Sequence, residues 1–530
     1  MSTMLMPMLT APVIDLRAMA PVLIVFAAAC VGVLVDGLML GRWRSWRDEV
    51  QIGLVLGSSA AALVYLVLNA RKGLVGSQAM GSLMLDGPTY VAWGALLVFG
   101  ALATLVFRET RVAGGVTVFA SSASSVPGGQ DEADADRVRL QQTEVFPLVL
   151  FSVTGMMVFA AANDLLTLFV GLEVFSLPLY LLCGMARRRR LLSQEASLKY
   201  FLLGALSSAF FLFGIALTYA FAGSFKYADI AIAIASPTYG RSLLYTGMVL
   251  LAVGLLFKVG VVPFHNWTPD VYVGAPTPVT GFMAICTKLA AVLATLRVFY
   301  VALGAERWSW QPLFAALAVA TMVVGAVAAL TQRDVKRMLA YSSIAHAGFL
   351  LTAVVGANQD GVGKTPSSVA SILFYLVAYG FATIGAFGLV TMVRNAAGED
   401  NSFAAWSGLA RKNPWVAGLM SLFLLSFAGI PLTAGFIGKW AVFSAAWEGG
   451  FWWLVLVAVL MSLVAAYVYL RVVVAMFFTE PDPEIGDVHV VLPGLGTTIV
   501  VAAGAVMTVL LGILPGWVLD LATSASQLLR

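Results

Sequence analysis

The sequence predicts an all-α polytopic membrane protein of about 14 transmembrane helices, and three observations carry that expectation. Of 530 residues, 60% are hydrophobic and 11% are charged, whereas roughly 25% of residues are charged in soluble domains; mean hydropathy is +0.92. Apolar runs of about 20 residues, the length that crosses a hydrocarbon core, recur along the chain. The loops between them are alternately rich and poor in Lys and Arg, the bias that orients membrane helices.

Taken in order, the apolar runs place spans near 18–41, 50–70, 87–107, 144–162, 165–186, 194–221, 241–262, 275–302, 312–331, 338–356, 367–394, 413–445, 450–478 and 493–516. The run VFAAAC ending at Cys30 loosely resembles a lipoprotein cleavage site. The residues before it lack a basic segment, carry Asp15 and Arg17, and the apolar run continues past Cys30, so a retained first span is expected. Segment 121–137, SSASSVPGGQDEADADR, is polar, Ser/Gly-rich and then acidic, and reads as a flexible loop rather than a packed element.

The basic loops carry Arg42, Arg44 and Arg47; Arg108, Arg111, Arg137 and Arg139; Arg187 to Arg190; Arg333, Lys336 and Arg337; and Arg394, Arg411 and Lys412. Together these are more than half of the 31 Lys and Arg. They should face the cytoplasm, with both termini extracytoplasmic. The RRRR run at 187–190 reads first as a topology anchor and second as a lipid-headgroup patch. Asp334 and Lys336, in TQRDVKR, read as part of a solvated loop.

Several functions lack their residues. Cys30, Cys183 and Cys286 stand apart with no C-x-x-C spacing, so neither an iron–sulfur nor a zinc site is expected. His265, His346 and His489 are too few and too scattered for a bis-histidine haem, and no G-x-G-x-x-G follows a strand pattern. No cofactor, metal or nucleic-acid partner is expected. What remains is chemistry of protons, ions or solutes.

Ionisable residues inside apolar helices are expensive and default to function. The stretch 254–288 holds Lys258, Pro263, His265 and Lys288. Pro263 cannot donate to the carbonyl of Val259, so the helix through Lys258 should break or kink there. Glu173 lies about nine residues into its span, near mid-depth. A lysine partner is expected for it in preference to a protonated, purely structural state, and Pro178 should loosen the same helix. Lys439 is equally deep. Lys199, a few residues into its span, and Arg471, near a cytoplasmic end, can also snorkel. For His265 and His346 the ordinary reading is a buried ring with one hydrogen bond; beside a line of lysines, a relay role is the better one.

VGVVPFHNW at 259–267 has an echo in FAGIPLTAG at 427–435, each with a proline and small residues in an apolar helix. Lys258 precedes Pro263 by five residues, and Lys439 follows Pro431 by eight. The two helices are the seventh and twelfth spans, and an odd offset inverts a repeat across the membrane. The expected organisation is a three-helix segment at 1–107, a cytoplasmic loop at 108–143, two inverted five-helix units at 144–302 and 312–478, each with a broken helix, and a last span within 493–530. That is a transporter plan.

The strings EASLKYFLLGALSSAFFLFG, FKVGVVPFHNWTPDVYVGAPTPVTGFMAICTKLA, KRMLAYSSIAHAGF and FAGIPLTAGFIGKW resemble the subunit N family of bacterial NADH:quinone oxidoreductase, respiratory complex I. The resemblance implies a proton-translocating, antiporter-like membrane-arm subunit. By motif, Glu173 would be the fifth-helix glutamate, Lys258 its partner in the broken seventh helix, Lys288 the central lysine of the eighth and Lys439 the terminal lysine of the twelfth. Lys199, His265 and His346 would be further stations on the polar axis. Flavin, iron–sulfur clusters and the quinone site would lie in partner subunits, and the contacts of this chain would be other complex I membrane subunits, especially neighbouring antiporter-like ones, and lipids. An Mrp-type monovalent cation/proton antiporter subunit shares the axis and is the alternative.

Overall fold

A computed structural model describes residues 15–39, 46–120, 126, 129–137, 143–237, 240–357, 366–395, 398–480 and 488–529. In chain order the helices are α1 (Leu16–Leu38), α2 (Arg47–Arg71), α3 (Gly87–Phe107), α4 (Gln130–Arg137), α5 (Val145–Ala161), α6 (Leu165–Cys183), α7 (Arg190–Ala222), α8 (Tyr227–Ala235), α9 (Arg241–Val259), α10 (Trp267–Gly274) and α11 (Thr277–Leu296). There follow α12 (Arg307–Thr331), α13 (Val335–Gly356), α14 (Ser368–Val390), α15 (Phe403–Trp406), α16 (Leu409–Lys412), α17 (Pro414–Ala428), α18 (Ala434–Glu448), α19 (Trp452–Phe478), α20 (Leu495–Ile513) and α21 (Gly516–Ser524). Among the described residues 12 helices are long and apolar enough to cross a membrane, and α5 and α17 are shorter apolar ones. Short antiparallel ribbons, 76–78 with 83–85 and 393–395 with 398–399 and 489–490, tie loops together at the helix ends.

Helix starts follow local chemistry. Asp86 and Asp164 each accept from the amide and the hydroxyl of a threonine three residues on, Thr89 and Thr167. This satisfies amides that an apolar surrounding would leave unpaired. The helix α6 runs through Pro178 without ending, and α4 forms where a flexible loop is expected. Its Asp131 lies in the first turn and Arg137 in the last, the arrangement that complements a helix dipole. Residues 121–125, 127–128 and 138–142 lie outside the described residues.

The breaks fall where the sequence places them, but glycine makes them. The helix α9 ends on Gly260 (φ 83°, ψ 36°) and α17 on Gly429 (φ 83°, ψ 40°). Val261 N donates to Leu256 O at 3.0 Å, and Ile430 N to Leu425 O at 3.1 Å. These are Schellman caps, and the left-handed residue is one that only glycine adopts without strain. Pro263 and Pro431 follow in the loops and prevent resumption.

The helices α11, α13 and α14 are almost wholly buried at the centre, whereas α7 and α19 present long apolar faces outward. The buried titratable side chains described below project from or toward this central group.

Candidate functional site

Lys258 occupies the last turn of α9 and is 2% exposed. Its Nζ donates to Ser176 Oγ at 2.8 Å and to Tyr180 OH at 3.4 Å, both on α6. It lies 5.4 Å from the ring centroids of Phe175, Tyr180 and Tyr200 and 5.6 Å from that of Phe257. Such faces attract a cation that water does not reach. The expected ion pair with Glu173 is not formed. Glu173 is half-buried with Oε1 lacking any hydrogen-bond partner, and Ser176, one turn along the same helix, takes its place. A hydroxyl costs less to bury than a carboxylate.

Lys288, in α11, is 3% exposed and donates to Ser343 O at 2.5 Å and Ser343 Oγ at 2.7 Å. A cavity of about 10 Å³ joins it to Lys258, lined also by Thr268, Thr287 and Ser343. That is room for about one water among polar partners. On the far side, Lys288 Nζ lies 5.2 Å from the Tyr379 ring, which packs on His346 at 4.7 Å between centroids. His346 Nδ1 is bonded to Tyr375 OH, and its Nε2 lies 3.4 Å from Tyr469 OH, which is 2.5 Å from Ser342 Oγ.

Lys439, near the start of α18, reaches back to the last carbonyl of α17, Ala428 O, at 2.9 Å, and donates to Ser462 Oγ on α19 at 2.7 Å. Phe349 lies under its Nζ at 4.9 Å and separates it from His346. The end of a broken helix thus supplies the acceptor, since its last carbonyls have no intrahelical partner.

Two expected stations stand apart from this row. The Lys199 side chain is 43% exposed and paired with Glu195 at 2.8 Å and Asp270 at 2.9 Å, and Asp270 also takes Arg337 at 3.2 Å. It is part of a rim cluster rather than a buried station, because two carboxylates outside the core hold it there. His265 is half-buried in the α9–α10 break with Nδ1 unpartnered. Arg471 donates to Leu330 O and Gln332 O at 2.6 and 2.7 Å, closing the end of α12.

Lys336 corrects the solvated-loop reading. It is 2% exposed, donates to Ala275 O at 2.7 Å and lies 4.0 Å from Glu399. The turn before α11 leaves carbonyls that only a tertiary partner can fill. Asp334 instead caps α13 through Arg337 N at 2.7 Å; burial raises its carboxyl above the ordinary value, with the Arg337 amide opposing. Sequence reading also misses a fully buried pair, Arg297 with Asp86 at 2.5 Å, which joins the end of α11 to the start of α3. The side chains that hold the row, the hydroxyls of Ser176, Ser343, Ser462 and Tyr375 and the ring of Tyr379, are missed as well. The i, i+4 spacing of those two tyrosines in an apolar helix was the available signal. Among the described residues no group of three or more His, Cys, Asp or Glu could hold a metal ion.

A polytopic helical chain with two capped breaks and a row of buried amines is an antiporter-like membrane subunit. Residues 162–465 match the family described as NADH:quinone oxidoreductase/Mrp antiporter, transmembrane. NADH-quinone oxidoreductase subunit N of Nocardioides sp. is 52% identical over 98% of this chain and 99% of its own length, and that of Rhodococcus opacus is 52% identical over 98% and 97%. A chain of respiratory complex I from Thermus thermophilus is 33% identical, covers 95% of this chain and 100% of its own, and superposes with a TM-score of 0.74. A chain of the Mrp complex from Dietzia sp., 19% identical over 97% of each, shares the fold with a TM-score of 0.76. The chain belongs to the NADH-quinone oxidoreductase subunit N family.

Proposed function

We propose that this chain moves protons through the membrane arm of a bacterial plasma-membrane NADH:quinone oxidoreductase, driven by quinone reduction in partner subunits that hold the flavin, the iron–sulfur clusters and the quinone site. Glu173, Lys258, Lys288, His346 and Lys439 are the stations, with Lys199 and His265 as outer ones. The helices group as two inverted five-helix units around the breaks at Pro263 and Pro431, with the basic loops cytoplasmic and both termini outside. The observation that carries this reading is the row Lys258, one-water cavity, Lys288, Tyr379, His346. Neutral hydroxyls and carbonyls hold the amines, and these partners neither trap the charge nor demand it.

The switch follows from the spacing on α6. Glu173 and Ser176 are three residues apart, about 4.5 Å along the helix axis. A carboxylate at about 4 Å favours a protonated lysine by about 4 kcal/mol at an effective dielectric of 20. Driving one proton against about 150 mV takes about 3.5 kcal/mol. A Lys258 that exchanges Ser176 for Glu173 therefore gains enough to take up a proton, and returning releases it toward Lys288.

The test is the Lys258→Ala variant of the assembled complex in sealed vesicles, with quinone reduction and proton uptake measured together. Proton transfer per NADH should fall while the complex remains assembled; unchanged pumping would sink the relay. Sodium flux through the wild-type chain under the same gradient would favour the Mrp-type reading instead.

A further inference from the structure

The basic face contains a second polar cavity that the relay does not use. It measures about 350 Å³ and is bounded by the 113–118 segment, the turn after α6, the α10–α11 turn and the 394–401 hairpin. That size is in the range of small-molecule sites. Its charged lining is Arg187, Arg188, Arg189, Lys336 and Arg394 against Glu399, five cations to one carboxylate. Glu399 is already engaged, since its Oε1 accepts from Thr277 Oγ1 at 2.6 Å and from Asn401 Nδ2 at 3.0 Å. Lys336 and Arg394 are 2% and 7% exposed. Burial holds the Arg394 guanidinium below its ordinary value, with Glu399 opposing the shift and Arg188 adding to it. Crowded like charges of this kind are relieved by an anion.

Two further atoms point the same way. Thr117 Oγ1 and Asn401 Oδ1 belong to buried residues lining the cavity, and neither has a hydrogen-bond partner. The bond from Asn401 Nδ2 to Glu399 fixes which way the amide faces. Buried polar atoms are nearly always satisfied, so such a pair at one cavity calls for a ligand.

We propose that this vestibule binds a phosphate-bearing anion, from either an acidic phospholipid headgroup or a soluble phosphate. Guanidinium groups match phosphate oxygens in shape and charge, and basic pockets between helices on this face suit lipid headgroups. The Thr117 hydroxyl donates to a phosphate oxygen. Asn401 Oδ1 accepts from a hydroxyl, either that of a protonated phosphate or that of a glycerol headgroup.

The test uses the assembled complex in two arms. In nanodiscs containing phosphatidylglycerol, native mass spectrometry counts lipid retained after washing. In phosphatidylcholine nanodiscs, equilibrium dialysis measures binding of labelled orthophosphate. Arg394→Gln should weaken binding about tenfold or more in one arm. Thr117→Val should weaken it by less, and it should assemble normally because Oγ1 has no partner to lose. Loss in the lipid arm identifies a headgroup, and loss in the dialysis arm a soluble phosphate. Binding in both arms that neither variant changes, or no binding in either, overturns the site.

Discussion

The α9–α10 and α17–α18 breaks end their first halves with the same glycine cap, yet they hold their lysines by different means. Lys258 rests against side-chain hydroxyls of Ser176 and Tyr180 inside four aromatic rings, with Glu173 one turn from its partner. Lys439 rests on a backbone carbonyl and one serine over a single ring. A side-chain partner can be exchanged, whereas a helix-end carbonyl is fixed in place. In the relay proposed above, the first break switches its lysine between side-chain partners and the second keeps its lysine on the helix-end carbonyl.

The largest effect is expected at Gly435. A Cβ there would lie 1.8 Å from Ser426 O, so Gly435→Ala should force the two halves of the second break apart, costing about 3 kcal/mol or more; a fall in assembled complex on native gels measures it. Next come the lysines themselves. Lys258→Met and Lys439→Met should each lower proton transfer at least tenfold, measured as pumping per NADH in vesicles. The two should differ in that only Lys258→Met leaves Glu173 without its exchange partner, so adding Glu173→Gln to it should cause little further loss. Glu173→Gln alone should reduce pumping clearly, while Lys258 stays bonded to Ser176; wild-type pumping in that variant would remove the switch from the first break. The smallest effects concern the hydroxyls. Ser462→Ala deletes one charge-assisted bond, about 1.5–3 kcal/mol, partly offset because Ala428 O remains, and Ser176→Ala should push Lys258 toward Glu173. Opposite signs in the pH dependence of pumping for these two variants would sharpen the contrast, and identical profiles would erase it.

Much of this architecture is legible along the chain. The expected span 87–107 and the helix Gly87–Phe107 coincide, and the other described spans agree to within a few residues. The reason is that a bilayer imposes one length and one polarity on every crossing. The breaks are legible because Gly–Ile–Pro and Gly–Val–Val–Pro are local backbone chemistry. The depth of Lys258, Lys288 and Lys439 follows by counting from the span ends.

Partners are not legible in the same way, because they are far apart in sequence. Ser176 and Lys258 are separated by 82 residues, Lys288 and Ser343 by 55, and Arg297 and Asp86 by 211. Composition and neighbours within a few residues set the membrane class, the crossings, the two breaks and the depth of Lys258, Lys288 and Lys439. Helix packing, in contrast, is what puts Ser176 rather than Glu173 on Lys258, Lys199 at a rim, Lys336 in the interior, and a basic vestibule around two unpaired buried oxygens. Those outcomes depend on which helix faces which, and hydrophobic patterning leaves that open when nearly every face is apolar.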